Sequence, residues 1–246
     1  MLKRITGILL TAGLAVFMTA CGGGHGPSDN LLSFRTGLTW TYDVAGTVTL
    51  PSSLGGGTQA LQTTSKLTMM VASDTSRDLN NDVVNILDRK FDLFLLDGRE
   101  IKGNFRLYFD QTTLGVFVHG MNNYVGDTFN ASNDKFVPST TSPAFKFLYI
   151  PNPATDGLSL SYTNPFGITT NSDVSYQLQL GSVRQSISVP AGEFFAKGVS
   201  VKENFSKFLL TSSGIVPDTG IVSGAINATL PDGTKITGTI ALRSVN

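Results

Sequence analysis

Apolar and polar residues alternate along most of this chain from residue 38 onwards. In the segment LTWTYDV, residues 38–44, every second residue is apolar. A period of two residues is typical of a β-strand with one buried face and one face in water. Similar segments recur as far as residue 245, and no segment has a convincing helical period. The pattern predicts an all-β fold of about 11–13 strands with little or no helix.

Short turn signals separate these segments and predict hairpins. Asp97-Gly98 lies between the apolar segments 83–96 and 99–109, and Asp and Gly both tolerate the positive φ of a two-residue hairpin turn. Gly181-Ser182 has the Gly-first order of a type II′ turn. The predicted turn residues are Asp97, Gly98, Gly181, Pro190, Gly192, Gly220, Asp232 and Gly233. Such frequent turns favour a single antiparallel meander, folded as a half-barrel, a barrel or a sandwich.

Two stretches depart from the alternation. Residues 93–96, LFLL, are apolar on both faces, which indicates a strand covered on both sides or the rim of a cavity. From Gly120 to Pro143 the period lapses, and structureless segments of this length are often lids or binding loops. We therefore regard His119, Tyr124 and Phe129 as candidate ligand-binding residues. For His119 itself, the sequence favours a position at a rim over a role as a catalytic base.

The first 24 residues have a different pattern. Two basic residues precede an apolar run at 5–17, and small residues then lead to Cys21. These are the parts of an export signal. The run is interrupted by polar residues and is shorter than the about 20 residues that a membrane-spanning helix needs. We predict a signal peptide at 1–20, a flexible Gly-rich tether at 21–30 and a single β domain at 31–246.

The sequence Met18-Thr19-Ala20-Cys21 resembles the lipobox of bacterial lipoproteins. The resemblance implies cleavage before Cys21 and attachment of diacylglyceryl and palmitate chains to it, so the first expected partner is a membrane, through this lipid. Gly22 rather than Asp follows the cysteine, which implies the outer membrane if the cell is Gram-negative. An ordinary signal peptide cleaved elsewhere is the alternative, and it would leave Cys21 as a stray thiol.

Three short motifs carry a second resemblance. They are GLTWTY at 37–42, VPAGEF at 189–194 and PDTGIV at 217–222. In order and spacing they resemble uncharacterised bacterial envelope proteins that have a meandering antiparallel domain of unknown function. The resemblance implies an architecture similar to the open half-barrel of the lipoprotein-localisation carriers, although this chain has no predicted helix to plug such a cup. For the turn from Pro190 to Gly192 we favour a purely structural role.

Charge and composition argue against several classes of partner and site. After residue 20 the chain has 16 basic and 18 acidic residues, a formal charge of −2, so from the overall charge we expect neither a nucleic acid partner nor attraction to an anionic membrane face. Cys21 is the only cysteine, so no disulfide forms within the chain. No catalytic or metal-binding motif is present, and we predict no catalytic residue, no metal site and no cofactor.

These features predict a lipoprotein of the bacterial cell envelope whose β domain serves binding or assembly. Its partner would be an apolar ligand or another envelope protein. One alternative is a purely structural surface lipoprotein. The other is a carboxylate-based hydrolase, in which acidic residues converge with His119 in one cleft. The acidic residues concerned are Asp88, Asp92, Asp97, Glu100 and Asp110.

Overall fold

The structure, a computed structural model, describes ten stretches of the chain. They are residues 34–77, 82–112, 115–125, 135–138, 145–147, 154–163, 169–203, 209–216, 219–229 and 234–246. Fourteen β-strands and one 3-10 turn, Ser52–Leu54, lie in these stretches. The strands are β1 (Thr39–Thr49), β2 (Thr58–Ala60), β3 (Lys66–Arg77), β4 (Val83–Phe94), β5 (Glu100–Thr112), β6 (Gly115–Val125), β7 (Lys135–Pro138), β8 (Phe145–Phe147), β9 (Ala154–Thr163), β10 (Thr169–Val189), β11 (Gly192–Glu203), β12 (Leu209–Val216), β13 (Gly220–Thr229) and β14 (Lys235–Val245). The all-β prediction is confirmed.

All fourteen strands belong to one antiparallel sheet. Its order is β14-β13-β12-β11-β10-β9-β7-β6-β5-β4-β3-β1-β2, and β8 pairs with β6. Neighbours in sequence are mostly neighbours in the sheet, which is the predicted meander. β1 also pairs with β14 from Trp40 to Thr49, so the hydrogen-bonded pairing returns from the last strand to the first.

The strands run between two ends of the sheet, which we call the near end and the far end. The near end is the end at which β1 begins. Because the strands are antiparallel, β10, β12 and β14 end there, and β11 and β13 begin there. The far end is the opposite end, where the turn between β4 and β5 lies.

Most of the buried apolar side chains of the described residues belong to β1, β3, β4 and β14. On β1 the residues Trp40, Tyr42 and Val44 are buried, while the threonine and aspartate positions between them are half-buried. This is the alternation that the sequence predicts. Each large apolar side chain that is fully buried contributes about 1.5–3 kcal/mol. The largest such side chains are Trp40, Tyr42, Phe109, Leu67, Met69, Ile86, Leu87 and Leu95.

Two facing glycines allow β1 and β14 to approach closely. Gly46 pairs directly with Gly238. A Cβ atom on Gly46 would overlap the carbonyl oxygen of Thr237, and one on Gly238 would overlap that of Ala45. Gly46 also has a φ of +148°, a conformation that L side chains rarely adopt. Glycine is therefore required at both positions.

Several of the residues predicted to form turns lie in turns or at the start of a strand, and two lie outside the described residues. Gly98, with a φ of +85°, closes the loop between β4 and β5, and Leu95 N donates to Arg99 O at 2.9 Å, so the loop has three residues rather than two. Val189 pairs with Gly192, and Pro190 therefore begins a two-residue turn between β10 and β11. Gly220 begins β13 with a φ of +86°. Asp232 and Gly233 lie outside the described residues.

The hairpin predicted at Gly181-Ser182 is wrong. β10 continues through these residues, and β11 pairs with it on both sides, at Leu180–Val199 and at Arg184–Lys197. Residues 181–183 thus form a β-bulge opposite Gly198. An isolated glycine in a strand pattern fits a bulge as well as a turn. The bulge is favoured here because both halves of β10 keep their hydrogen bonds to β11, and the reversal follows at Pro190.

The LFLL segment ends β4 at the far end. Leu93 and Leu95 are buried, Phe94 is half-buried, and Leu96 is 65% exposed. The covering on both sides that the sequence predicts therefore stops at Phe94. Ser65, itself fully buried, accepts a hydrogen bond from Phe94 N at 3.0 Å, so the connection between β2 and β3 packs against this strand end.

Candidate functional site

Two of the three candidate ligand-binding residues, His119 and Tyr124, lie in a strand and not in a loop. β6 continues through Val125, and β7 occupies Lys135–Pro138, so much of the segment predicted to be structureless is strand. Pairing with β5 along its length overrides the weak strand propensity of the asparagines in β6. Tyr124 is part of β6, whereas Phe129 lies outside the described residues.

His119 occupies an irregular position in β6. Tyr108 pairs with Gly120 and Phe109 pairs with Val118, so His119 is the additional residue of a β-bulge. Its side chain is half-buried. Bulges redirect side chains and are frequent at rims. The structure thus places His119 close to the near end of the sheet.

Three of the acidic residues lie far from this histidine. Asp92, Asp97 and Glu100 cluster at the far end, and each forms an ion pair with a neighbouring cation. Nine residue steps along β5 separate Glu100 from Phe109, beside which His119 lies, and this is about 30 Å at the rise of a strand. These carboxylates and His119 do not converge in one cleft.

The three short motifs of the sequence, at 37–42, 189–194 and 217–222, meet at the near end. Tyr42 of the first motif pairs with Leu242 of β14 and donates from its hydroxyl to Ile221 O of the third motif at 3.0 Å. Ala191 of the second motif donates from its backbone N–H to Leu242 O at 3.0 Å. Segments that are about 150 and 180 residues apart in the chain therefore meet around one residue pair. The three motifs form one structural junction.

An aromatic cluster attaches the start of the described chain to this junction. Phe34 lies edge-on to Trp40, with ring centroids 6.2 Å apart, and its ring lies 4.5 Å from that of Phe109. Trp40 in turn donates from Nε1 to Thr219 O at 3.2 Å. Phe34, the first described residue, is therefore fixed at the near end.

A charged cluster lies on the outer face of β1, β3 and β14. Arg243 is the additional residue of a bulge in β14, and it donates from Nε and Nη2 to the two carboxylate oxygens of Asp43, both at 2.7 Å. Lys66, directly opposite Asp43 on β3, forms a second ion pair with it. Hydrogen bonding from Arg243 is the main reason that the pKa of Asp43 lies below its ordinary value, and Lys66 adds to the effect. The carboxylate is thus fully engaged in joining three strands.

The hairpin of β10 and β11 presents exposed apolar residues. We call its outer face, formed by Arg184, Glu193, Phe195 and Lys197 with Val183 in the adjoining bulge, the hairpin face. Phe195 is 63% exposed and Val183 is 76% exposed. Phe194, on the opposite face of the same strand, is half-buried, and Ala196 is fully buried. Sequence reasoning missed this surface, because the Phe-Phe pair does not reveal which ring points outward.

The described residues contain neither of two further features. No three or more His, Cys, Asp or Glu side chains in them are grouped to hold a metal ion. No helix in the same part of the chain is long and apolar enough to cross a membrane.

Comparisons with known proteins return distant structures alone. No family model and no curated protein matches the chain. Among solved structures, one similar chain is a protein from Bacteroides fragilis that is assigned as exported and has a YmcC-like fold. The two sequences are 11% identical, the match covers 87% of this chain and 97% of that chain, and the TM-score is 0.39. Another is a protein assigned as a lipoprotein from Parabacteroides distasonis, with 12% identity, coverage of 88% and 98%, and a TM-score of 0.36. At these values the similarity establishes neither a family nor a function.

Proposed function

We propose that this protein is a lipoprotein of the bacterial cell envelope, anchored by lipid on Cys21, whose β domain binds or assembles with another envelope component. The observation that supports anchoring is the order of features around this cysteine. A basic and apolar export signal precedes Cys21, and a Gly-rich segment follows it. Two or more acyl chains on one residue give durable membrane attachment, whereas one chain alone is marginal.

The position of Phe34 in the fold supports this proposal. Phe34, thirteen residues after Cys21, packs on Trp40 and Phe109 in the core. Thirteen residues span at most about 45 Å when fully extended. An anchor at Cys21 would therefore hold the near end of the sheet close to the membrane.

A role in binding or assembly is supported by the hairpin face. Phe195 and Val183 are exposed on neighbouring strands, and apolar residues grouped on a surface, unlike single scattered ones, often mark contact sites. Three of the five acidic residues of the hydrolase alternative lie at the far end, about 30 Å from His119 at the rise of a strand, so the full set does not form one site.

Replacing Cys21 tests the anchor. In cells, wild-type protein should incorporate labelled fatty acid and fractionate with membranes, whereas Cys21→Ser should incorporate none and lose the membrane association. Ser28→Ala, in the same tether, is the matched control and should behave as wild type. Labelled, membrane-bound Cys21→Ser protein would contradict the proposal.

A further inference from the structure

We propose that the hairpin face lies on the membrane surface and recognises anionic phospholipid headgroups beside the lipid anchor. This inference rests on the proposed anchoring through Cys21 and adds a second, non-covalent contact to it. In this arrangement Phe195 and Val183 enter the boundary of the acyl chains, and Arg184 and Lys197 contact phosphates. A lipid anchor alone would leave the orientation of the domain undefined, whereas the second contact fixes it.

The apolar part of the surface has the composition of an interfacial contact. Phe195 and Val183 expose 63% and 76% of their surface to water. Residues 181–186 are all exposed, so neither side of this part of β10 is covered by the part of the chain that the structure describes. Aromatic and aliphatic side chains in such positions gain free energy when they enter the membrane interface.

The charged part of the surface supplies the second, independent argument. Arg184 and Lys197 are directly opposite each other across the β10–β11 ladder and therefore share a face. Like charges in this position repel and destabilise a strand pair. Phe195 is two residues from Lys197 on the same face. A phosphate between the two cations would remove the repulsion while the ring enters the apolar layer.

One acidic residue lies on the same face. Glu193, two residues before Phe195, accepts a hydrogen bond from Ser186 of β10. This bond holds the Glu193 carboxylate against β10. The hairpin face keeps an excess of one positive charge, in a mature chain whose formal charge is −2. The charge of this patch is thus complementary to an anionic membrane.

The position of the hairpin in the fold is consistent with membrane contact. The turn at its tip lies at the near end, where Ala191 N bonds to β14 and β14 pairs with β1. The described chain starts at the same end, at Phe34. The segment of 13 residues to Cys21 is therefore attached at the end of the sheet where the hairpin turns.

Tryptophan quenching by brominated lipids tests the proposal. Trp40 is the only tryptophan and is fully buried, so its emission is a constant background. Lipidated full-length protein carrying Phe195→Trp is placed in vesicles of phosphatidylethanolamine and brominated phosphatidylglycerol. Its added emission should be quenched. Leu96→Trp is the matched control, because Leu96 is 65% exposed but lies at the far end, and its emission should persist.

A separate measurement tests the role of the two cations, Arg184 and Lys197. Combining Phe195→Trp with Arg184→Gln and Lys197→Gln should lower the ratio of membrane-contacting to free hairpin by about fivefold for each charge removed. The loss should be seen in vesicles that contain phosphatidylglycerol and should be small in phosphatidylcholine alone. An equal effect in both lipids would contradict recognition of anionic headgroups.

Flotation of the same samples separates the two proposals. If the protein floats with the vesicles but Phe195→Trp is quenched no more than Leu96→Trp, the hairpin contact is wrong and the anchor stands. If the protein carries no lipid and does not float, the anchoring proposal fails and this inference fails with it. If the emission of Phe195→Trp depends on protein concentration and not on brominated lipid, a second copy covers the face, which also overturns the inference.

Discussion

Gly46 and Gly238 determine how closely the first and last strands approach. Each occupies a point where a methyl group would overlap the backbone of the opposite strand. Backbone atoms in a paired ladder cannot move aside as a flexible side chain can. The pairing that joins β14 to β1 thus depends on the absence of two Cβ atoms.

Substituting either glycine should destabilise the protein strongly. We expect Gly46→Ala and Gly238→Ala each to lower the free energy of unfolding by about 3 kcal/mol or more, since both force the strands apart and Gly46 also has a positive φ. Denaturant unfolding of the purified mature protein measures this. Gly198→Ala is the matched control: a Cβ there meets nothing within 4 Å, so its stability should stay near that of wild type. A similar loss for all three variants would contradict this explanation.

The charged cluster at Asp43 predicts a dependence of stability on pH. The pKa of Asp43 is lowered from its ordinary value of 3.8 by Arg243 and Lys66. Its contribution is therefore present above pH 3.8 and is lost as the pH falls through the lower pKa of the folded state. At neutral pH, Asp43→Asn should cost about 1 kcal/mol, because solvent screens this half-exposed cluster. Urea unfolding at several pH values should show the two proteins converging below pH 3.8, and a constant difference would contradict the assignment.

At the scale of elements, the near-end junction depends on one buried hydroxyl. The Tyr42 hydroxyl donates to Ile221 O, and the bond is buried. We expect Tyr42→Phe to lower the free energy of unfolding by about 1–3 kcal/mol, because the carbonyl loses a donor in an apolar environment. Thr39→Ala, which removes an exposed hydroxyl bonded to Gly37 O, should have little effect. Equal effects in the two variants would show that burial of the Tyr42 bond is unimportant.

Local sequence signals predicted some elements and not others. The reversals near Asp97-Gly98 and at Pro190 follow from residues that favour turn conformations, and both lie between paired strands. Gly181-Ser182 carries a similar signal, but β11 pairs with both halves of β10 and makes a bulge instead. β6 is a strand although it contains His119, Asn122 and Asn123, because β5 pairs with it. Pairing with a neighbour decides these cases, and a single strand's sequence does not contain that neighbour.

At the scale of the whole molecule, the sequence predicts the fold class but not the contacts between its ends. Two-residue alternation is a local property, and it identifies the buried face of β1 correctly. The bonds from Arg243 to Asp43 join residues 200 positions apart, and no local pattern indicates such a partner. The hairpin face was missed for the same reason, since exposure of Phe195 depends on where the remaining strands lie.

Three features of the molecule lie together at the near end of the sheet. It holds the junction of the three motifs, the tip of the β10–β11 hairpin and the start of the described chain at Phe34. An anchor at Cys21 would therefore act on the same end that carries the proposed membrane surface. The proposed hairpin contact, and not the anchor alone, would fix the orientation of the domain on the membrane.

The mass of the N-terminal peptide tests the proposed anchoring most directly. In protein extracted from cell membranes, trypsin should release residues 21–35, since Arg35 is the first basic cleavage site after Cys21. We expect this peptide to begin at Cys21 and to carry the added mass of a diacylglyceryl group and an acyl chain. A peptide with a free Cys21 thiol, or one that begins at another residue, would contradict the anchoring.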